Sequence, residues 1–215
     1  MAEIASIKAS SPTRLRILAA CRELFNERGP GEVTTAQIAA AVGINEGNLY
    51  YHFKRKEQIL EALFGQYEAR LREVAAANRN VVDDPARHGD YLRGWFNLMW
   101  EWRFFYRDIG RHAPSLSPKV QELSEYGQEQ VRLMLETQAS MGLIEAGPED
   151  IDRLLVNSWI IATYWIDYLR LRHGVTAITR EHIRWGAEQV ASLFVPYLTP
   201  AGKKLLLREP GAGWA

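Results

Sequence analysis

The stretch from Val33 to Lys56, VTTAQIAAAVGINEGNLYYHFKRK, decides how the rest of the chain is read. Thr34 followed three residues later by Gln37 has the spacing of a capping box, in which a hydroxyl and an amide satisfy the N–H groups that open a helix. Ile38, Ala39 and Val42 recur at helical spacing behind it, and Gly43 marks the stop, because glycine enters the left-handed conformation of a helix end at little cost. Asn45 is placed to cap a second helix carrying Leu49 and Phe53. Two short helices joined by Gly43-Ile44 make a helix-turn-helix, a unit whose second helix enters the major groove of duplex DNA. Ala39, Ala40 and Ala41 would let the two helices approach closely, while Ile38, Val42, Ile44, Leu49 and Phe53 supply the buried side. What remains on the second helix is Glu46, Gly47, Asn48, Tyr50, Tyr51 and His52, followed at once by Lys54, Arg55 and Lys56.

Helical signals continue in both directions from this unit. Before it, Ser11-Pro12 opens a helix through Leu18, Cys21, Leu24 and Phe25, stopped by Gly29-Pro30. After it, Leu60, Leu63, Phe64, Tyr67, Leu71 and Val74 form one apolar stripe on a fourth helix starting near Lys56. Asp83-Asp84-Pro85 separates that helix from an aromatic-rich fifth, roughly Ala86 to Phe105, and Ala113–Ser117 is a break. Ser117-Pro118 opens a helix to Gly142, Gly147-Pro148 a long one to Gly174, and Thr179 caps another to Leu198. Thr199-Pro200 starts a last short piece. No strand pattern competes, so the expected class is all-α, with nine to ten helices. Residues 11–55 are read as a helix-turn-helix domain of three helices, and residues 56–207 as a larger helical bundle.

Within the first 65 residues Thr34-Thr35, Ile38-Ala39, Gly43-Ile44, Leu49-Tyr50-Tyr51-His52-Phe53 and Lys56, at these spacings, resemble the TetR family of bacterial transcriptional regulators. The resemblance implies a DNA-binding head and a divergent C-terminal domain that dimerises and binds a small inducer. It implies that Thr35, Tyr50, His52 and Lys56 touch phosphates and that Glu46, Gly47 and Asn48 face base edges. With Thr34, Asn45, Tyr51 and Lys54 these form the expected DNA-binding set. Ala36 departs from the pattern, since some members carry a basic base-reading side chain there. Glu46 is unusual on a helix facing a polyanion; it could accept from cytosine N4, as Asn48 could pair with adenine.

Charge bounds this reading. The 215 residues hold 26 Lys+Arg against 26 Asp+Glu, which argues against coating nucleic acid by bulk charge. Residues 1–60 carry eight basic residues (Lys8, Arg14, Arg16, Arg22, Arg28, Lys54, Arg55, Lys56) and six glutamates (Glu3, Glu23, Glu27, Glu32, Glu46, Glu57), a head of only +2. The salt dependence of DNA binding should therefore be shallow. One cysteine, Cys21, leaves no intramolecular disulfide and points to a reducing compartment. The apolar run Leu154–Ile166 is short of the roughly 20 residues a membrane span requires, so a cytoplasmic protein with no membrane partner is expected.

Six of seven tryptophans lie between Trp95 and Trp185. Trp95, Met99, Trp102, Phe105, Tyr106 and Trp159 are the candidate lining of a pocket for an apolar or aromatic ligand, with a packed core as the competing assignment. Arg103, Arg107 and Asp108 lie alongside as candidates for orienting a polar end. The helix from Pro148 is apolar nearly all round: Ile151, Leu155, Ile161 or Ala162, Trp165 and Leu169 on one stripe, Val156, Ile160, Tyr164 and Leu171 on others. A helix with two apolar faces is buried on both. With the helix from Thr179 it points to a homodimer through a four-helix bundle, which would set two recognition helices on a palindromic operator. The functional expectation is a homodimeric repressor released from DNA by a small inducer. No cofactor or metal is implied and no enzyme motif is present: none of the five histidines follows Glu by three residues, and H-E-x-x-H, G-x-S-x-G and P-loop patterns are missing. An all-α enzyme, a ligand-binding scaffold without DNA binding, and a TetR-like activator are the alternatives.

Overall fold

The computed structural model describes residues 11–77, 88–106 and 114–206. Among these the architecture is all-α: α1 Pro12–Arg28, α2 Thr35–Val42, α3 Glu46–His52, α4 Lys56–Ala76, α5 His88–Glu101, α6 Ser117–Ser140, α7 Pro148–His173, α8 Arg180–Phe194 and α9 Pro200–Leu206. Residues 103–106 add one further helical turn. No strand forms among the described residues, and an isolated antiparallel bridge joins Ile144 to Leu198.

Local chemistry sets most of these boundaries. The Ser11 hydroxyl accepts from Arg14 N–H, and Pro12 occupies the first turn of α1. Gly174, at φ +63°, takes the left-handed conformation that ends α7. Thr179 caps α8, and a short 3-10 turn over Val195–Tyr197 follows where one helix to Leu198 was expected.

The fifth helix is also shorter than its aromatic spacing predicts. It stops at Glu101 because the Phe104 N–H turns to the Asn26 Oδ1 at 3.3 Å, while Phe105 N–H bonds the Trp102 carbonyl in a tighter turn. Its expected start at Ala86, the Asp83-Asp84-Pro85 separator, Arg107, Asp108 and Ala113 lie outside the described residues.

Compactness divides the chain into residues 1–68 with 102–120, and residues 69–101 with 121–215. Helix α4 thus belongs to both units, Ile59, Leu60, Leu63, Phe64 and Tyr67 being buried in the first, Leu71 and Val74 in the second.

In the first unit, Ile17, Leu18, Cys21 and Phe25 of α1 are buried with Ile38, Ala39, Val42, Leu49 and Phe53. Ala40 and Ala41 are exposed, so of the three alanines only Ala39 lies on the buried face, between Ile38 and Val42. In the second unit Tyr91, Met134, Leu135, Ile144, Ile151, Leu154, Leu155, Phe194 and Leu198 form the core. Helix α7 places Ile151, Leu154 and Leu155 there and also buries Trp165 and Leu169, while Val156, Ile160, Tyr164, Tyr168 and Leu171 stay exposed, Leu171 at 88%.

Candidate nucleic-acid interface

The helix-turn-helix is assembled by its own polar side chains. Thr34 Oγ1 accepts from Gln37 N–H at 3.2 Å and Gln37 Oε1 accepts from Thr34 N–H at 3.0 Å, which completes the capping box of α2. Thr34 is therefore engaged in the cap. Gly43 adopts φ +73°, ψ +38°, and its N–H and that of Ile44 bond the carbonyls of Ala40 and Ala39, turning the chain toward α3. Asn45 Oδ1 accepts from Asn48 N–H at 2.7 Å and caps α3. A Cβ on Gly47 would lie 3.3 Å from that same oxygen, so the small residue leaves the cap undisturbed.

Three predicted residues are joined across the two helices. The Thr35 hydroxyl donates to Glu46 Oε1 at 2.8 Å, and the Tyr50 hydroxyl lies 3.3 Å from Thr35 Oγ1. Glu46 sits in the first turn of α3, where the helix dipole favours an anion. Along the same helix Gly47, Asn48 and Tyr51 are exposed, Tyr51 at 77%, and Lys54 and Arg55 continue the exposed edge beyond it. His52 is half-buried with its ring edge-on to Tyr51 at 5.3 Å. Leu49 and Phe53 point the opposite way, into the core.

Lys56 is differently placed. Its ammonium donates to the carbonyls of Pro30, at 2.6 Å, and Val33, at 3.0 Å, closing the loop before α2. Gln58 Oε1 accepts from Lys54 N–H at 2.8 Å, ordering the entry to α4.

Two arginines of α1 belong to the site although spacing gave no sign of it. Arg14 Nη1 donates to the His52 carbonyl at 3.0 Å with its guanidinium 3.9 Å from the Phe53 ring centre. Arg16 Nη2 donates to the Val42 carbonyl at 2.5 Å. Each puts a cation at the negative C-terminal end of one helix of the pair. Cys21, buried in α1, has its thiol pushed up to about 12 by burial, opposed by the charge of Lys56.

The six candidate pocket residues are divided between the two units. Trp102, Phe105 and Tyr106 lie in the first unit, packed on Tyr67: Trp102 and Phe105 stack with centroids 6.0 Å apart, and the Tyr106 and Tyr67 hydroxyls are hydrogen-bonded. Burial first, then each other's hydroxyl, acts on these phenols; the Tyr67 phenol is pushed up, and Tyr106 to about 12, where burial outweighs the lowering bond from Tyr67. Trp95, Met99 and Trp159 are half-buried in the second unit, Trp95 against Tyr91 and Gly127. Two hydroxyls of α7, on Ser158 and Thr163, are buried without a hydrogen-bond partner among the described residues. Among those residues no three of His, Cys, Asp or Glu are grouped to hold a metal ion, and no helix is long and apolar enough to cross a membrane.

A capped helix-turn-helix with an exposed polar edge on its second helix, followed by a separate helical unit, defines the class of helix-turn-helix transcriptional regulators. Residues 17–63 match the family described as "Bacterial regulatory proteins, tetR family", and residues 66–206 the family TetR, described as "Bacterial transcriptional repressor". The chain belongs to the TetR family of transcriptional regulators. A TetR-family transcriptional regulator from Marinobacter aquaeolei VT8 is 32% identical with a TM-score of 0.74, covering 91% of this chain and 95% of that one. The HTH-type transcriptional regulator YvkB of Bacillus subtilis is 26% identical over 194 residues, 86% of this chain and 96% of its own. The HTH-type transcriptional repressor KstR2 of Mycobacterium tuberculosis is 27% identical over 169 residues, 75% of this chain and 82% of its own.

Proposed function

We propose that this regulator is a cytoplasmic homodimeric repressor, which grips a palindromic duplex operator with α3 and releases it on binding a small apolar or aromatic inducer. The observation that carries the reading is the outward edge of α3, where Glu46, Gly47, Asn48 and Tyr51 lead directly into Lys54 and Arg55, all exposed around a fully capped helix. In this reading Asn48 and Glu46 meet base edges, and Thr35, Tyr50, Tyr51, His52 and Lys54 meet phosphates. Thr34 and Asn45 shape the helix starts that carry them. Lys56 orders the loop before α2 and offers a phosphate only the N–H that its two carbonyls leave.

The exposed stripe Val156, Ile160, Tyr164, Tyr168 and Leu171 supports a second copy as its cover: the residues follow at intervals of four or three, one face of a helix whose other face is already in a core. Dimerisation would place two α3 helices about 34–36 Å apart, one turn of duplex. The inducer is assigned to the second unit, beside Trp95, Met99 and Trp159, with the partnerless hydroxyls of Ser158 and Thr163 able to fix a polar end. Trp102, Phe105 and Tyr106 serve as packing around Tyr67. Helix α4, shared by both units, carries the coupling, which in allosteric proteins is worth about 1–3 kcal/mol and requires the ligand to favour the DNA-incompetent state.

The test is duplex binding by variants of the α3 edge, measured against a site selected for the unchanged chain. Asn48→Ala should lower affinity for that site by about 5- to 150-fold while leaving affinity for unrelated duplex unchanged, because a base contact is worth about 1–3 kcal/mol. Lys54→Met should weaken both alike. Equal loss on both duplexes in Asn48→Ala would remove Asn48 from the bases.

A further inference from the structure

The hydrogen bonds among Thr35, Glu46 and Tyr50 have a fixed direction. A carboxylate only accepts, so the Thr35 proton lies on the 2.8 Å contact to Glu46. With that proton committed, Thr35 Oγ1 is the acceptor at its 3.3 Å contact, and the Tyr50 hydroxyl is the donor. The two bonds therefore run as a relay, Tyr50 to Thr35 and Thr35 to Glu46, at the rim of the recognition helix. A phosphate oxygen is acceptor-only, and neither hydroxyl has a proton left to give it. A bond to an ionised acceptor is also stronger than one between neutral groups, so the arrangement is not surrendered without exchange.

Resting on the DNA-binding reading above, we infer that Glu46 is the discriminating residue of the head: by holding the Thr35 hydroxyl, and through it the Tyr50 hydroxyl, it withholds both from phosphate until a base-edge amino group takes the place of Thr35 on its carboxylate. The major groove offers such donors on cytosine N4 and adenine N6, and the cytosine edge matches a carboxylate best because N4 is the donor it presents there. On unrelated duplex the carboxylate keeps the Thr35 proton, Thr35 keeps that of Tyr50, and the carboxylate faces the phosphates as a like charge. On a site with cytosine at the right step, the amino group satisfies the carboxylate and the two hydroxyls turn to the backbone. Base recognition and backbone grip are thus made in one exchange, which suits a head whose charge is only +2.

The experiment is a cycle of Glu46→Ala in two backgrounds, the unchanged chain and Thr35→Val/Tyr50→Phe, each titrated with the selected site and with a mixed-sequence duplex lacking it. Glu46→Ala should raise affinity for the mixed duplex by about tenfold in the unchanged background and by no more than about twofold where the hydroxyls are gone. The selected site should gain nothing, so the ratio between the two duplexes falls. Removal of a like charge alone would give the same factor in both backgrounds, and that result overturns the inference. A single-variant measurement guards against misfolding of the double variant. The Glu46→Ala gain should persist between about 50 and 300 mM salt, whereas a gain from charge alone fades as the screening length drops through about 10 Å. Fading of the gain with salt overturns the inference by itself. Duplex binding by the unchanged chain with equal factors defeats this inference only; no duplex binding by the unchanged chain defeats the DNA-binding reading too.

Discussion

Lys56 and Cys21 show how much of the head's chemistry is spent on holding it together. The Lys56 ammonium bridges two carbonyls of the loop before α2, and the thiol of Cys21 is buried within reach of its field. Burial pushes that thiol, and the phenols of Tyr91 and Tyr106, up to about 12, and the Tyr67 phenol in the same direction. In the unfolded chain these groups ionise near 9 and 10. Above those values the unfolded chain has lost protons that the fold still holds, so stability must fall as pH rises, by up to about 1.4 kcal/mol per pH unit for each group. The urea midpoint should hold level up to about pH 8 on this account and decline steadily toward pH 11. Cys21→Ala should remove the earliest part of the decline. A midpoint constant from pH 8 to pH 10.5 would show that these groups are not protected.

At the scale of elements, α1 is the clamp of the helix-turn-helix. Arg14 and Arg16 reach the C-terminal carbonyls of α3 and α2, so one helix fixes the angle between the other two. Arg16→Met keeps the apolar stem and removes the bond, and should cost about 1–3 kcal/mol of stability, the usual penalty for stranding a carbonyl bonded to a charged donor. With the Val42 carbonyl as its whole role, the change should also weaken duplex binding and leave the slope of log K against log salt as it was. A shallower slope in Arg16→Met would make it a phosphate contact instead. The same contrast explains what the sequence discloses. The capping box at Thr34 and Gln37, the stop at Gly43 and the cap at Asn45 each depend on residues within four positions, and local chemistry writes them openly. The polar edge of α3 is legible for the same reason. Arg14 and His52 are 38 positions apart, and Asn26 and Phe104 are 78 apart. No spacing marks an arginine on a polar helix as the cap of a distant one, or an asparagine as the group that ends another helix. The aromatic spacing from Trp95 to Tyr106 reads as one face of one helix. The turn at Trp102, set by Asn26, divides those rings between two units.

At the scale of the whole molecule, the second stripe of α7 and the charge balance are two sides of one design. A single head carries a net charge of only +2, and Arg14, Arg16 and Lys56 each spend N–H donors on backbone carbonyls. Two heads acting together would multiply a modest grip, provided that the exposed apolar stripe holds two copies. Ile160→Glu, in the middle of that stripe and half-exposed in one copy, should leave the fold intact and convert the sedimenting species to a 24.5 kDa monomer. Operator affinity should fall with it by two orders of magnitude or more, about what a lost linked second contact costs. A variant that still sediments as the unchanged chain does would move the interface elsewhere. In this reading a nearly neutral head finds DNA by its recognition helix and in pairs. Selection of duplexes from a random pool by the unchanged chain tests it most directly. The expected result is enrichment of an inverted repeat whose half-sites lie about 10–10.5 base pairs apart or a multiple of that, each with a cytosine step for Glu46. Recovery of unrepeated sites, or of no enriched sequence at all, would contradict it.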